Sequence, residues 1–157
     1  MINEFTAKKL GEVAAFAKVL EDTIEKGSGA LAATFGEEAM AEVRRHNESH
    51  LQRLETLVGS AAKETMLAKM QKTSEKLKAM RDMYIGDEWN NPTELMEWAG
   101  FFEGAAIVHW SLVAGAAEAI DHTELKSLSQ EALQLHRNIF DGCNDRIRAV
   151  AKGRAQE

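Results

Sequence analysis

Two stretches of this chain, from Glu12 to Glu21 and from Glu94 to Glu103, carry one pattern twice. Glu12 matches Glu94, Phe16 matches Trp98, Ala17 matches Ala99 and Glu21 matches Glu103. In both stretches the apolar residues recur at helical spacing. Glu21 and Glu103 close the apolar stretch, on or near the face that a helix would bury. A buried carboxylate is costly unless it is paired, hydrogen-bonded or bound to a cation. Two acids placed alike in two halves therefore predict a helical fold with a polar site between its rods.

The rest of the composition agrees with helices. Pro92 is the only proline, and the long stretches are built from Ala, Leu, Glu, Lys and Met, all strong helix formers. No run of β-branched residues bounded by turn signals appears. A chain of 157 residues fits one domain and can bury most of its apolar surface without staples. The net charge of −6 argues against a nucleic-acid partner. Lys63, Lys69, Lys72, Lys76, Lys78 and Arg81 form a local basic stretch that reads as one solvated helix face. Cys143 stands alone, so no internal disulfide forms and a small buried apolar role is expected. Met1 to Lys9 lacks the apolar core of a signal peptide, and the stretch from Gly104 to Ile120 is too short and too polar for a membrane span. A cytoplasmic protein without a membrane partner is the expectation.

Five helical segments are predicted. The first runs over 6–35 with Thr6 as cap, continuing through Gly27 and Gly29 to a stop at Gly36. The second covers 37–58 and ends at Gly59. The third, 61–83, is basic and carries Met66, Met70, Met80 and Met83. A linker through Trp89 and Pro92 follows, and Asn91 or Thr93 caps a fourth helix over 93–120. Asp121 and His122 make a tight joint, Thr123 caps the last helix over 123–151, and the tail from Lys152 is expected to fray. Short joints at Gly36 and Asp121 predict antiparallel hairpins. The longer connection, with its own helix, returns the chain to its starting end. The expected fold is all-α, an up-down-down-up four-helix bundle with a crossover helix between bundle helices two and three.

Two local patterns point to a family. Asn47 and His50, followed by Leu51, Leu54 and Leu57, look like the Glu-x-x-His segment of a di-metal carboxylate bundle. Glu103, followed by His109 and Trp110, looks like a ligand glutamate ahead of an aromatic pair. On these the chain resembles the ferritin-like superfamily, nearest to rubrerythrin-type and small bacterial stress-linked members, over about residues 10–148. The resemblance implies carboxylate-bridged iron or manganese and dioxygen or peroxide chemistry. It implies metal ligands at Glu21, His50, Glu103 and Glu131, with Asn47 and Gln134 as weaker candidates. It also implies a homodimer.

The pattern departs from the family at two places. Asn47 stands where a glutamate is expected, and Gln134 where a histidine is expected. Three outcomes stay open: one divalent metal among the four remaining ligands, a second site restored by Glu25 or Glu48, or no metal at all. Each residue also has an ordinary role: Glu21 paired with Lys18 or Lys26, Glu131 with Arg137, and His50 as a surface or satisfied core histidine. The hemerythrin-like spacing of His136 and Asp141 is set aside, because the other hemerythrin ligands are missing. No phosphate loop, nucleophile triad or zinc motif appears, and no small-molecule substrate is identifiable. The second expectation is a non-enzymatic bundle with a lost metal site that associates with itself or a partner. It draws on the methionines of the third segment and on Trp89 and Trp98 as exposed aromatics.

Overall fold

The computed structural model describes all 157 residues as five helices with no strand. They are α1 (Glu4–Lys26), α2 (Ser28–Phe35), α3 (Glu37–Ile85), α4 (Pro92–Ala119) and α5 (Thr123–Arg154). The all-helical expectation holds.

Several boundaries differ from the sequence reading. Asn3, not Thr6, caps α1: its Oδ1 accepts from the Thr6 amide at 2.9 Å. Gly27 separates α1 from α2 (φ −99°, ψ 17°), so the expected single helix over 6–35 is two. Gly27 is buried, and a β-carbon there would meet Leu95 Cδ1 at 3.2 Å. The turn takes the residue that lets α4 approach. Asn91 caps α4 and His122 caps α5, the latter through its ring and the Leu125 amide rather than through Thr123. The final helix is intact to Arg154, past the expected fraying point.

Within α3 one residue leaves the helical conformation. Gly59 has φ 64° and ψ 170°, a region open almost only to glycine. It divides α3 into a first arm (37–58) and a second arm (60–85). The arms run along α1 in opposite directions. In the first arm Asn47 lies against Ala17, while Leu54 and Val58 pack in one cluster with Leu10 and Val13. In the second arm Met66 and Lys69 lie against Gly11 and Glu12, and Lys78 and Arg81 reach Asp22. The second arm is therefore parallel to α1, and the first is antiparallel to it.

The remaining directions follow from cross-helix contacts. Leu95, Phe102 and His109 of α4 meet, in turn, Gly27 just past the end of α1 and Phe16 and Glu12 within it, so these two helices are antiparallel. The α4–α5 joint at Asp121 and His122 makes an antiparallel hairpin, with Glu103 on His136 and Gly104 beside Phe140. Arg146 of α5 lies over Phe35, just ahead of the first arm, and Glu131 pairs with Arg53 farther along it. Those two are antiparallel as well.

Two apolar clusters fill the interior. One gathers Leu10, Val13, Leu54, Met66, Trp110 and Leu128, and the other gathers Phe16, Ile24, Leu77, Leu95, Trp98 and Phe102. Every residue from Leu10 to Ala17 is buried, because α1 is covered by both arms of α3 and by α4. Trp98 is buried and Trp89 half-buried under Lys26 and Arg81, which corrects their expected exposure. The basic stretch is also not uniformly solvated. Arg81 is 3% exposed and held by Asp22, Thr23 and Asp82. Lys69 joins Glu12.

Candidate functional site: an interior cleft with a polar floor

A cleft of about 850 Å³ opens among α1, α2, the first arm of α3, α4 and α5. Its walls are largely apolar, supplied by residues such as Ile24, Phe35, Val43, Trp98, Phe102 and Ile139. Its polar lining includes His46, His50, Glu103, Glu131, Gln134 and Arg146.

Of the residues singled out as metal ligands, the structure brings His50, Glu103 and Glu131, with Gln134, to this one cleft. Glu21 is half-buried, makes no hydrogen bond or ion pair, and is not part of the lining. Asn47 is buried and committed elsewhere: its Nδ2 donates to the Ala17 carbonyl at 2.8 Å, tying the first arm to α1. Glu131 is exposed and held bidentately by Arg53, at 2.6 and 3.2 Å. The Arg53 guanidinium, against a smaller opposing effect of burial, keeps the Glu131 carboxyl below the usual carboxylate range. The expected alternative partner, Arg137, is not the one found. Gln134 is exposed and donates to Asn138. No three His, Cys, Asp or Glu side chains stand in an arrangement that could hold a metal ion.

Glu103 on the lining and His136 behind it form a buried pair that the sequence reading did not assemble. Glu103 is 1% exposed, and its Oε2 meets His136 Nδ1 at 2.5 Å. His136 is buried too. The pair offsets the desolvation that each group would suffer alone. The signal for His136 was present in the α5 pattern. Leu125, Leu128, Ala132, His136 and Cys143 share the buried face. A residue five positions after Glu131 lies roughly 140° around the helix from it. When His136 faces inward, Glu131 faces outward.

His50 is the other polar group at the floor. It is 5% exposed and its ring makes no hydrogen bond to the protein. Trp110 packs against it edge-on, with 6.1 Å between ring centroids. Burial, followed by the nearby charge of His136, lowers the imidazole to about 4, so it is neutral at pH 7. The side-chain atoms sealed from all contact without a partner are Thr6 Oγ1 and Ser74 Oγ. The ring nitrogens of His50 are not among them, so they face open space. Cys143 beside the cleft is pushed up to about 11, by burial first and the Glu103 charge second. It is an unreactive thiol, as its expected apolar role requires.

A second buried acid stands outside the cleft. Glu12 is gripped by Lys9, by Lys69 at 3.1 Å and by His109 at 2.9 Å. Burial raises this carboxyl, but the hydrogen bonds from Lys9, Lys69 and His109 outweigh it and the net displacement is downward. Glu12 is a structural clasp between α1, α4 and the second arm of α3.

Compared with known proteins, the chain matches no family model, no curated protein and no solved structure.

Proposed function

We propose that this chain is a ferritin-like bundle that works by binding, holding a small, mainly apolar molecule in its interior cleft. In this reading α1, the first arm of α3, α4 and α5 are the four rods, up-down-down-up, and the second arm of α3 is the crossover. The helix directions described above support that arrangement. The single observation that carries the binding role is the cleft itself. Its volume of about 850 Å³ lies in the range of small-molecule sites, with apolar walls and few polar groups.

The test uses N-phenyl-1-naphthylamine, a dye that brightens in apolar surroundings. Saturable brightening at one dye per chain is expected. Ala99→Trp, which places an indole on the cleft wall, is expected to weaken it at least tenfold. A dye signal that never saturates, or that ignores the added indole, would sink the reading.

A metal role, implied by the resemblance, is the second reading. Its motivation is that His50, Glu103 and Glu131 share this lining. It requires Glu131 to leave Arg53 and Glu103 to leave His136 before either takes a cation. Anaerobic loading with iron(II) or manganese(II) decides it. Stoichiometric binding that His50→Ala abolishes would favour the metal, and less than about a tenth of an equivalent bound would remove it. Self-association belongs to both readings, because α4 leaves Phe101, Val108 and Leu112 exposed along one side.

A further inference from the structure

The cleft reading says that something apolar is held, and the floor says what the inner end of that molecule must offer. His50 is more than nine-tenths buried, lines the cleft and has no partner on the protein. Its ring nitrogens face the open space of the cleft, so a ligand that fills the cleft takes that space from them, and one that bonds to them gains over one that does not. An uncharged imidazole, the ordinary form at pH 7.5, presents one N–H donor and one nitrogen acceptor.

Glu103, on the same lining, narrows the choice. His136 occupies its Oε2, and Oε1 has no hydrogen-bond partner on the protein. A carboxylate oxygen only accepts. A ligand group that only accepts, such as an ether or a carbonyl, can take the His50 N–H but matches neither its bare nitrogen nor Glu103 Oε1. An anion fares worst, because its charge would leave water for a largely apolar cleft whose inner pair, Glu103 and His136, is already matched. A hydroxyl both donates and accepts, and so suits either nitrogen of His50. Arg146 is exposed and already lies over the Phe35 ring at 4.8 Å. It sits at the rim and offers no counter-charge at the floor.

Resting on the cleft reading, we infer that the natural ligand is an uncharged apolar alcohol or phenol, bound with its hydroxyl inward on His50. The experiment is displacement of N-phenyl-1-naphthylamine at pH 7.5 by three molecules sharing one alkyl body: 1-decanol, decyl methyl ether and decanoate. 1-Decanol is expected to displace the dye at roughly tenfold lower concentration than the ether, the size of a net hydrogen bond to a buried group. Decanoate is expected to be the weakest. In His50→Phe, which keeps the wall apolar, the advantage of the alcohol over the ether, each measured against that variant's own dye affinity, should vanish.

Alcohol and ether of equal potency, decanoate strongest, or an alcohol advantage that survives His50→Phe would each overturn the inference and leave the cleft reading standing. No dye binding at all would bring down the cleft reading instead. The three-competitor comparison runs on the unaltered chain, so it decides the matter even if the variant does not fold.

Discussion

His50 leaves a mark on stability as well as on binding. In the unfolded chain its imidazole titrates near the ordinary 6.5, and in the folded chain near 4. Between those values the unfolded state holds one more proton, so stability falls as pH drops from 6.5 toward 4. From pH 7 to pH 5 the loss from this residue is about 2 kcal/mol. Glu12, Asp22 and Glu131 act in a lower window. Their folded values are depressed, so their contribution is present above the ordinary carboxylate range and is lost only below it. Urea unfolding at pH 7 and pH 5 should therefore show the drop, and His50→Gln should flatten most of it. An identical slope in the variant would mean the acid sensitivity lies elsewhere. At this scale the sequence was half legible. The burial of Glu103 followed from its apolar neighbours, but its partner did not. A fixed Glu-x-x-His spacing led from Glu131 to Gln134, whereas the phase of the α5 apolar stripe leads to His136.

Helix joints were the most readable part of the elements, because glycine and asparagine mark them for steric reasons. Gly36 and Gly59 both hold positive φ, and Asn91 caps where predicted. Gly27 was read as a weakened link in one helix, because the apolar spacing continues past it. A β-carbon there would crowd Leu95 from a distant segment as well as Leu31 and Thr23, and no local pattern reveals the first of these. Gly11 shows the same limit more sharply. It lies mid-helix, where Gly→Ala ordinarily stabilises by about 0.5–1 kcal/mol. Here a β-carbon would stand 2.4 Å from the Met66 carbonyl oxygen and 2.8 Å from Lys69 Cβ. Gly11→Ala should instead destabilise by about 2 kcal/mol, by prying the second arm of α3 off α1. A rise in the urea midpoint on this substitution would show that the close approach is not rigid.

The molecule as a whole is lopsided. Helix α1 is enclosed, whereas α4 has one face in the core and another that keeps Phe101, Val108 and Leu112 in solvent, with Tyr84 packed beside Phe101. By length and composition α4 is also apolar enough to cross a membrane. Buried Glu103 and the pairing with α1 and α5 are what a core helix with one uncovered side would show. Association through that side predicts a dimer by light scattering, and Val108→Glu should return it to the monomer mass without loss of helicity. A wild-type monomer at high concentration would refute this. The sequence carried the apolar run of α4 but not its one-sidedness, because the cover that α1 receives comes from the second arm of α3, tens of residues away.

Gly59 bears on one more property. A single pair of torsions turns the second arm of α3 back along α1 instead of onward. With those torsions helical, the 49 residues of α3 would form one rod of about 70 Å at 1.5 Å each. Such a rod would carry its far half, and the two helices after it, out of reach of their own α1. A straightened chain could recover its missing neighbours only from another molecule in the same state, giving an exchanged pair stitched from the same contacts. One small residue thus stands between a self-contained fold and an interlocked one.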